Sequence, residues 1–298
     1  MSASLVTVDA CLACRGRDLR AHAPSHRTGF VILHCRSCGL HFLRDRLSLE
    51  SVVNDYDLDF DGYAAFTDIT RPDVIDSSHA TVLERIDRLV GATPRRSLFD
   101  IGAGDGGFLS MARDAGFEPH GNELSSGAIA MAQQRHGIEL LKGDLSTLDA
   151  GEHDAVTLWC VLAHVPDGDV LLDDVKRVLK PGGLMFLQTP RWSRMDGLGM
   201  AAHDATRGRA TRLTDRRMAM HHMSLHTEDS MRITLERLGW EVVAIEPRVR
   251  YSLTTSSYLQ SLGVSPTWAD RASRPVNALV DSGRFFRNVL DVYARKPG

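Results

Sequence analysis

A glycine-rich segment, Asp100-Ile-Gly-Ala-Gly-Asp-Gly-Gly107, constrains the fold of this chain more than any other feature. It joins an apolar stretch, Ser97–Ile101, to a stretch whose apolar stripe begins at Phe108 and Leu109. Glycines at such a junction let the backbone turn sharply and pass close to a ligand, because no Cβ atoms stand in the way. The segment therefore predicts a strand, a cofactor-binding loop and a helix in that order.

From Arg95 onwards, short apolar segments alternate with segments whose apolar residues recur at helical spacing. This alternation predicts βαβ units, and hence an α/β fold with a doubly wound, mainly parallel sheet. The expected strands are Ser97–Ile101, Phe117–Glu123, Ile138–Leu141, Asp154–Trp159, Leu184–Gln188, Trp240–Ile245 and Val289–Ala294.

Two long segments, 191–226 and 251–287, fit no sheet element. Each follows a predicted strand, and long insertions in compact domains are usually functional loops, so we expect both to bind substrate. Residues 46–94 predict a helical connector or lid. The expected domains are thus a small N-terminal module at 1–45, this connector, and a cofactor-binding domain at 95–298.

Four of the five cysteines form two Cys-x-x-Cys pairs, Cys11 with Cys14 and Cys35 with Cys38. Two intervening residues let a tight turn direct both thiolates at one ion, and two such turns complete a tetrahedral shell of four sulfurs. The alternatives are chance pairs of buried thiols, or a redox pair, which explains one motif but not two. We expect a zinc ribbon that binds Zn²⁺ for structure and not for chemistry.

The glycine spacing is compatible with two cofactors. Gly102, Gly104 and Gly107 satisfy the Gly-x-Gly-x-x-Gly spacing of dinucleotide sites. With Gly106 in the third place, the spacing is the Gly-x-Gly-x-Gly of S-adenosylmethionine enzymes. Glu123 ends the second strand, where it can accept hydrogen bonds from both ribose hydroxyls of either cofactor. The loop by itself leaves both open.

The sequence around the loop distinguishes between the two cofactors. From Ser97 to Lys180 it resembles the class I, Rossmann-like S-adenosylmethionine-dependent methyltransferases, of the branch similar to ubiquinone-biosynthesis and sugar methyltransferases. The matching motifs are Asp100-Ile-Gly-Ala-Gly-Asp-Gly106, Gly121-Asn-Glu123-Leu124-Ser, Gly143-Asp144-Leu145 and Leu179-Lys-Pro-Gly-Gly183. The resemblance implies a seven-stranded sheet with an antiparallel last strand. The expected cofactor-binding residues are Asp100, Gly102, Gly104, Gly106, Glu123, Leu124, Asp144 and Leu145.

The segment after the fourth predicted strand departs from the family. Members often have Asp-x-x-Glu-His there, where this chain has Cys160-Val-Leu-Ala-His164. We interpret Cys160 as a small apolar residue beside the cofactor, since nothing basic adjoins it in sequence to activate the thiol. His164 precedes a helix next to the expected cofactor, so it is a candidate for touching substrate, with a structural role as the alternative.

A histidine-rich run, Met220-His221-His222-Met-Ser-Leu-His226, lies in the first insertion. Histidine titrates near neutrality, which suits a base that takes a proton from an acceptor. The run resembles the Glu-His-x-x-x-Phe segment of zinc-ribbon sugar C-methyltransferases, whose histidine acts as base. The resemblance implies that His222 is that histidine and that His221 replaces the glutamate. Capping, core or surface roles are the alternatives, as is a second metal site.

Two tyrosines, Tyr56 and Tyr63, follow the ribbon. The same enzymes place a tyrosine from this region against cofactor or substrate, and the resemblance therefore makes Tyr63 the candidate. Packing within the connector is the alternative.

Charge and composition narrow the function classes. The formal net charge is −3 and the isoelectric point about 6.5, so no bulk attraction draws the chain to nucleic acid or an anionic membrane. No apolar run reaches the roughly 18 residues of a membrane helix, and the N-terminal residues lack the basic start and apolar run of a signal peptide. We expect a cytoplasmic protein.

These features predict methyl transfer from S-adenosylmethionine to a small-molecule acceptor, a secondary or natural-product metabolite class that includes sugars, by in-line displacement. One alternative is an RNA-base methyltransferase, since such enzymes also carry four-cysteine ribbons. The acidic balance and the lack of an Asn/Asp-Pro-Pro-aromatic run after strand four argue against it. The other is a non-catalytic zinc scaffold, suggested by Cys160 and Ala163 where acids are common. The acceptor and the oligomeric state stay open.

Overall fold

The computed structural model of the chain describes residues 4–57, 72–91, 96–218, 222–250, 255–281 and 287–298. The strands are β1 (Leu5–Thr7), β2 (Leu19–Ala21), β3 (Ile32–Cys35), β4 (His41–Leu43), β5 (Asp45–Leu47), β6 (Arg96–Ile101), β7 (Phe117–Glu123), β8 (Leu141–Lys142), β9 (His153–Trp159), β10 (Leu179–Pro190), β11 (Ser224–Leu225), β12 (Glu241–Arg248) and β13 (Val289–Arg295). The helices are α1 (Leu49–Tyr56), α2 (Pro72–Val90), α3 (Gly107–Asp114), α4 (Ser126–His136), α5 (Gly168–Arg177), α6 (Arg194–Ala205), α7 (Arg212–Arg217), α8 (Glu228–Arg237), α9 (Thr255–Ser261) and α10 (Pro266–Asp281).

A seven-stranded sheet forms the centre of the molecule, in the order β12-β13-β10-β9-β6-β7-β8. The contacts among β10, β9, β6, β7 and β8 are parallel. The last strand, β13, is antiparallel to both β10 and β12. The predicted mainly parallel sheet with an antiparallel last strand is confirmed. In a sheet of this kind ligands bind at the carboxyl ends of the strands, which here means the ends of β6, β7 and β9.

Some predicted boundaries differ from the structure. The third strand covers Leu141–Lys142, later than the predicted Ile138–Leu141. The fifth strand begins at Leu179 and is interrupted by a register shift before Leu184, so the Lys180–Gly183 turn is a bulge in this strand. Bulges of this kind leave residues unpaired without ending the strand.

Apolar side chains fill both faces of the central sheet. On one face α5 and α8 contribute the buried Leu172 and Met231, and on the other α2 and α3 contribute Ile86 and Leu109. Each such side chain stabilises the fold by about 1.5–3 kcal/mol relative to its exposed state. In the described part of the chain, no helix combines the length and apolar character needed to cross a bilayer.

A second sheet, which we call the ribbon sheet, consists of β2, β3, β4 and β11 in the order β11-β4-β3-β2. Its outer strand β11 comes from the insertion at 191–226, with Ser224 opposite Phe42 and Leu225 opposite His41. The prediction that this insertion holds no sheet element is therefore wrong. A two-residue strand that pairs with a distant segment leaves no local pattern, since sheet pairing is set by the partner and by burial.

The ribbon sheet has two differently covered faces, because successive residues of a strand point to opposite sides. Leu33 and Cys35 lie in the apolar cluster that contains the other ribbon cysteines. Ile32 lies in a different cluster, with Met200 and Met223 of the insertion. The ribbon and the insertion thus share a core.

Candidate active site

The predicted cofactor loop joins β6 to α3 as expected. Gly102, Gly104 and Gly106 have φ angles of 66°, 58° and 76°, in the left-handed region that other residues rarely adopt. Before the loop, Asp100 is buried, and the hydroxyl of Thr157 on β9 donates to it over 2.6 Å. Burial raises the pKa of Asp100 to about 8. Asp100 thus lies beneath the loop and anchors it to the neighbouring strand.

Glu123 at the end of β7 accepts hydrogen bonds from the glycine loop and from its own turn. One carboxylate oxygen accepts from the Gly104 amide at 2.9 Å, and the other accepts from the amides of Leu124 at 2.6 Å and Ser125 at 3.0 Å. Each carboxylate oxygen has two lone pairs. The carboxylate can therefore hold the loop and still accept from a ligand hydroxyl.

The third predicted motif lies beside the same edge of the sheet. Asp144 accepts from the Ser146 amide at 3.0 Å and caps a short 3-10 helix, Leu145–Thr147. Leu145 is buried in the apolar cluster of the α5 face. In this structure its side chain packs into the core, whereas the sequence analysis had placed Leu145 among the cofactor-binding residues.

Four side chains meet at the end of β9. The Tyr56 hydroxyl lies 2.6 Å from His164 Nδ1, and His164 Nε2 lies 3.8 Å from Cys160 Sγ. The rings of His164 and His222 meet edge to face, with centroids 4.6 Å apart. We call Tyr56, Cys160, His164 and His222 the acceptor-side cluster. The structure brings together Cys160, His164 and His222, which the sequence singled out separately.

Backbone geometry distinguishes Cys160 within this cluster. Its φ of 64° is left-handed, a conformation that costs energy in a non-glycine residue and recurs at ligand sites. Burial raises the pKa of its thiol to about 11. At neutral pH the side chain is therefore an uncharged thiol, as expected for a small apolar residue and not for a nucleophile.

The ribbon sheet positions the loop that carries His222. The Met223 amide donates to the Ala163 carbonyl at 2.7 Å, and the Leu43 amide donates to the Met223 carbonyl at 2.9 Å. Residues 222–226 are thus held between the end of β9 and strand β4. His226 turns away from the cluster and contacts Ser230 at 3.2 Å, and burial lowers its pKa to about 4. His226 is a structural residue, one of the roles weighed for it.

One member of the cluster is not the tyrosine that the sequence favours. Tyr56 ends α1 and contacts His164, whereas the analysis had chosen Tyr63. Tyr63 and His221 lie outside the described residues. Asp57, which follows Tyr56, accepts from the Ser126 amide at 3.0 Å and so ties the end of α1 to the start of α4. The helical spacing of Val52 and Tyr56 was the available signal for this placement.

The four ribbon cysteines form one cluster. Cys11 Sγ lies 3.5 Å from Cys38 Sγ, and Cys14 Sγ lies 3.5 Å from Cys35 Sγ. All four sulfurs lie within 4.8 Å of one another. A tetrahedral zinc with bonds of about 2.3 Å places its sulfurs about 3.8 Å apart, so the donor set and its dimensions fit Zn²⁺.

A cavity of about 720 Å³ lies between α2 and the strands β12 and β13. Four arginines line it, together with two acids, Glu246 and Asp291; the arginines are Arg85, Arg88, Arg248 and Arg250. Arg250 lies over the ring of Trp159, the residue before Cys160, at 5.6 Å. The cavity is thus separate from the glycine loop, but its wall reaches the end of β9.

Comparisons with known proteins support the α/β fold and the cofactor loop described above. A family model described as "Methyltransferase domain" matches residues 71–245, more than half of the chain. A ubiquinone biosynthesis O-methyltransferase of Bordetella avium is 34% identical over 117 residues, which are 36% of this chain and 48% of that protein. A demethylmenaquinone methyltransferase of Renibacterium salmoninarum is 30% identical over 146 residues, 48% of this chain and 61% of that protein. The chain thus spans about half the length of the curated relatives it matches.

Solved structures agree in fold. A mycolic acid cyclopropane synthase in complex with S-adenosylhomocysteine has a TM-score of 0.57 at 14% identity, over 82% of this chain and 98% of that one. A protein of Bacillus halodurans classed as a methyltransferase has a TM-score of 0.51 at 17% identity, over 72% of this chain and 99% of that one. The chain therefore belongs to the methyltransferase-domain family and has the fold of the class I S-adenosylmethionine-dependent methyltransferases.

Proposed function

We propose that this protein transfers a methyl group from S-adenosylmethionine to a small-molecule acceptor, of the secondary-metabolite or natural-product class that includes sugars. The observation that carries the proposal is the acceptor-side cluster at the carboxyl end of β9, next to the glycine loop. A Cβ atom on Gly102 would lie 3.0 Å from Val161, the residue after Cys160, which measures how closely loop and cluster adjoin. A methyl donor on the loop would face these side chains.

The glycine loop and Glu123 are the proposed holders of the cofactor. S-adenosylmethionine, when bound, supplies a methyl group on a positively charged sulfur that a nucleophile can displace. The loop offers backbone without side chains, and Glu123 offers its one remaining carboxylate lone pair to a ribose hydroxyl. Asp144 and Leu124 flank the same edge and are proposed to border the adenosine.

The acceptor-side cluster offers a base and a means of orienting it. Burial raises the pKa of Tyr56, and the negative charges of Asp55 and Glu123 add to this effect, so its hydroxyl stays protonated. The hydroxyl can then donate to His164 Nδ1, which fixes the His164 proton on Nε2. His222 meets this ring edge to face and is the proposed base for the acceptor's hydroxyl, amine or activated carbon.

The arginine-lined cavity supports an acceptor with an acidic group. Its size is in the usual range of small-molecule sites, about 300–1,000 Å³. Four arginines against two acids give the lining an excess of positive charge. Because Arg250 reaches Trp159 beside the cluster, an extended acceptor could place its reactive atom near His222 and its acidic end in the cavity.

The decisive experiment is His222→Ala, measured with an acceptor found by screening deoxysugar nucleotides and hydroxylated aromatic acids for release of S-adenosylhomocysteine. A general base typically contributes 10²- to 10⁴-fold, so kcat should fall at least about 10²-fold while affinity for S-adenosylmethionine stays within a few-fold. His120→Ala is the matched control, since His120 lies on β7 with a side chain 42% exposed.

Two results would contradict parts of the proposal. An unchanged kcat in a folded His222→Ala protein removes His222 as base and leaves methyl transfer standing. Failure of the wild-type chain to bind S-adenosylmethionine removes the activity itself and favours the scaffold alternative.

A further inference from the structure

Three histidines outside the acceptor-side cluster lie on one face of the ribbon sheet. His22 follows β2, His34 lies in β3 and His41 lies in β4. Register pairs His34 with His41 and with Arg20, two residues before His22, so all three histidines project to the same side. A ring nitrogen of each lies within 4.8 Å of the others. The ribbon cysteine Cys35 projects to the opposite face.

Two of these rings are oriented by acceptors on their outer nitrogens. His22 Nδ1 lies 2.9 Å from a carboxylate oxygen of Asp204, and His41 Nδ1 lies 3.1 Å from the Gly39 carbonyl oxygen. Both partners only accept, so the Nδ1 atoms carry the protons and the Nε2 atoms keep their lone pairs. A carboxylate or carbonyl behind the ring is the usual arrangement for a metal-binding histidine.

The Nε2 atom of His22 is the strongest indication that this group of histidines binds a ligand. His22 is only 8% exposed, and among the described residues its Nε2 has no hydrogen-bond partner. A buried polar atom without a partner is unfavourable, and most such atoms in native proteins are satisfied by a group or an ion.

We propose that His22, His34 and His41 form a second metal site, separate from the four-cysteine cluster, for a divalent transition metal such as Zn²⁺. Three imidazole nitrogens suit zinc and its neighbours, with water completing the coordination. The rings of His34 and His41 now stack at 4.2 Å, and His34, half-buried, turns on binding to direct its nitrogen at the ion. Trp192 covers the other face of His41 at 3.4 Å.

Such a site would fasten the ribbon to the insertion that carries His222. Asp204, which contacts His22 Nδ1, lies in α6. It also pairs with Arg20 at 2.8 Å, and its carboxylate offsets the positive charge of Arg20 next to the site. Trp192 lies near the start of the same insertion, and its amide donates to the His226 carbonyl at 2.8 Å. The metal would therefore be structural, and it would act on the acceptor side through the position of this segment.

The test is metal content of the folded protein equilibrated with Zn²⁺, by native mass spectrometry and elemental analysis. Wild type should hold two zinc ions per chain, and His22→Gln and His34→Gln should each hold one. His26→Gln is the control, because His26 is an exposed histidine of the same module outside the cluster, and it should retain two. Asp204→Asn should weaken zinc at this site by about 10- to 100-fold, the usual effect of removing such a supporting carboxylate.

Cobalt substitution separates the two sites. A four-thiolate site shows thiolate-to-cobalt charge transfer, which a site of three imidazoles lacks. His22→Gln should remove only the bands without charge transfer, with circular dichroism confirming the fold. One zinc per wild-type chain at saturation, or two in both His22→Gln and His34→Gln, would overturn the proposal.

Discussion

At the scale of single residues, Glu123 has two roles, one in holding the glycine loop and one, expected from the sequence, in binding ribose. Its carboxylate accepts from the Gly104 amide and from two amides of its own turn. Charge-assisted hydrogen bonds of this kind are worth about 1.5–3 kcal/mol each. The residue that the sequence assigns to ribose binding therefore also shapes the loop, a role that only the folded chain reveals.

We predict that Glu123→Ala weakens S-adenosylmethionine binding at least tenfold. The variant loses both the ribose acceptor and the anchor of the Gly104 amide, and tenfold corresponds to about 1.4 kcal/mol. Isothermal titration of wild type and variant measures the change, with NAD titrated in parallel. Glu118→Ala serves as control, since Glu118 lies on the same strand with a side chain 61% exposed. Equal affinity in variant and wild type would remove Glu123 from the site.

Asp100 yields a prediction about pH. Its folded pKa is raised to about 8 from the ordinary 3.8, so the folded state keeps a proton that the unfolded chain releases. A raised pKa contributes stability that is complete below the unfolded pKa and is lost as pH rises through the folded pKa. The contribution of Asp100 to the free energy of unfolding should thus decline between pH 4 and pH 8.

Asp100→Asn removes this titration but keeps an oxygen for the Thr157 hydroxyl. Between pH 5 and pH 8, wild type should lose more stability than the variant, as measured by urea denaturation. Parallel pH profiles for the two proteins would show that Asp100 is ionised in the fold like an ordinary aspartate.

At the scale of elements, local sequence carried the information for most of the central sheet. Ser125 caps α4 by accepting from the Ala128 amide at 3.2 Å, and Thr227 caps α8 by accepting from the Ser230 amide at 3.1 Å. Both caps are visible in the local sequence, since a hydroxyl before an apolar-periodic run satisfies a helix's unpaired amides. Strands buried on both faces, such as β9, are equally visible as short apolar runs.

The strand pairing of the ribbon sheet could not be predicted from the local sequence. Ser224 and Leu225 form a strand only because Phe42 and His41 lie opposite them. The pairing depends on side chains far apart in the chain, which no periodicity records. For the same reason the contact between Tyr56 and His164 was missed, although both residues lie in segments the sequence had selected.

At the scale of the molecule, the cofactor loop and the acceptor-side cluster are held in place by different sheets. The cofactor loop depends on β6, β7 and β9 of the central sheet. His222 depends on β4 and β11 of the ribbon sheet, through the Met223 carbonyl and the Leu225 pairing. The sequence predicts a ribbon, a connector and a cofactor-binding domain, and this division stays a prediction. The ribbon and the insertion nevertheless share an apolar core and the pairing of β4 with β11.

This arrangement predicts that loss of the zinc ion expected at the four-cysteine cluster impairs catalysis more than cofactor binding. Cys35→Ser removes one of four ligands, and because a structural zinc supplies folding energy directly, the ribbon sheet should lose order. Strand β11 then loses its partner, and His222 its position. We expect kcat to fall at least tenfold while affinity for S-adenosylmethionine changes by less than about threefold.

Cys35→His is the matched control, since three cysteines and one histidine are also a common zinc ligand set, and it should retain metal and most of the activity. Metal content, S-adenosylmethionine titration and turnover are measured on the same preparations. The prediction depends on separate supports for the two halves of the site, so an equal loss of cofactor affinity and kcat in Cys35→Ser would show that the fold fails as one unit. Full turnover in a zinc-free Cys35→Ser protein would show instead that residues 222–226 keep their position without the ribbon, held by contacts such as the Met223 amide on Ala163 and the Trp192 amide on His226.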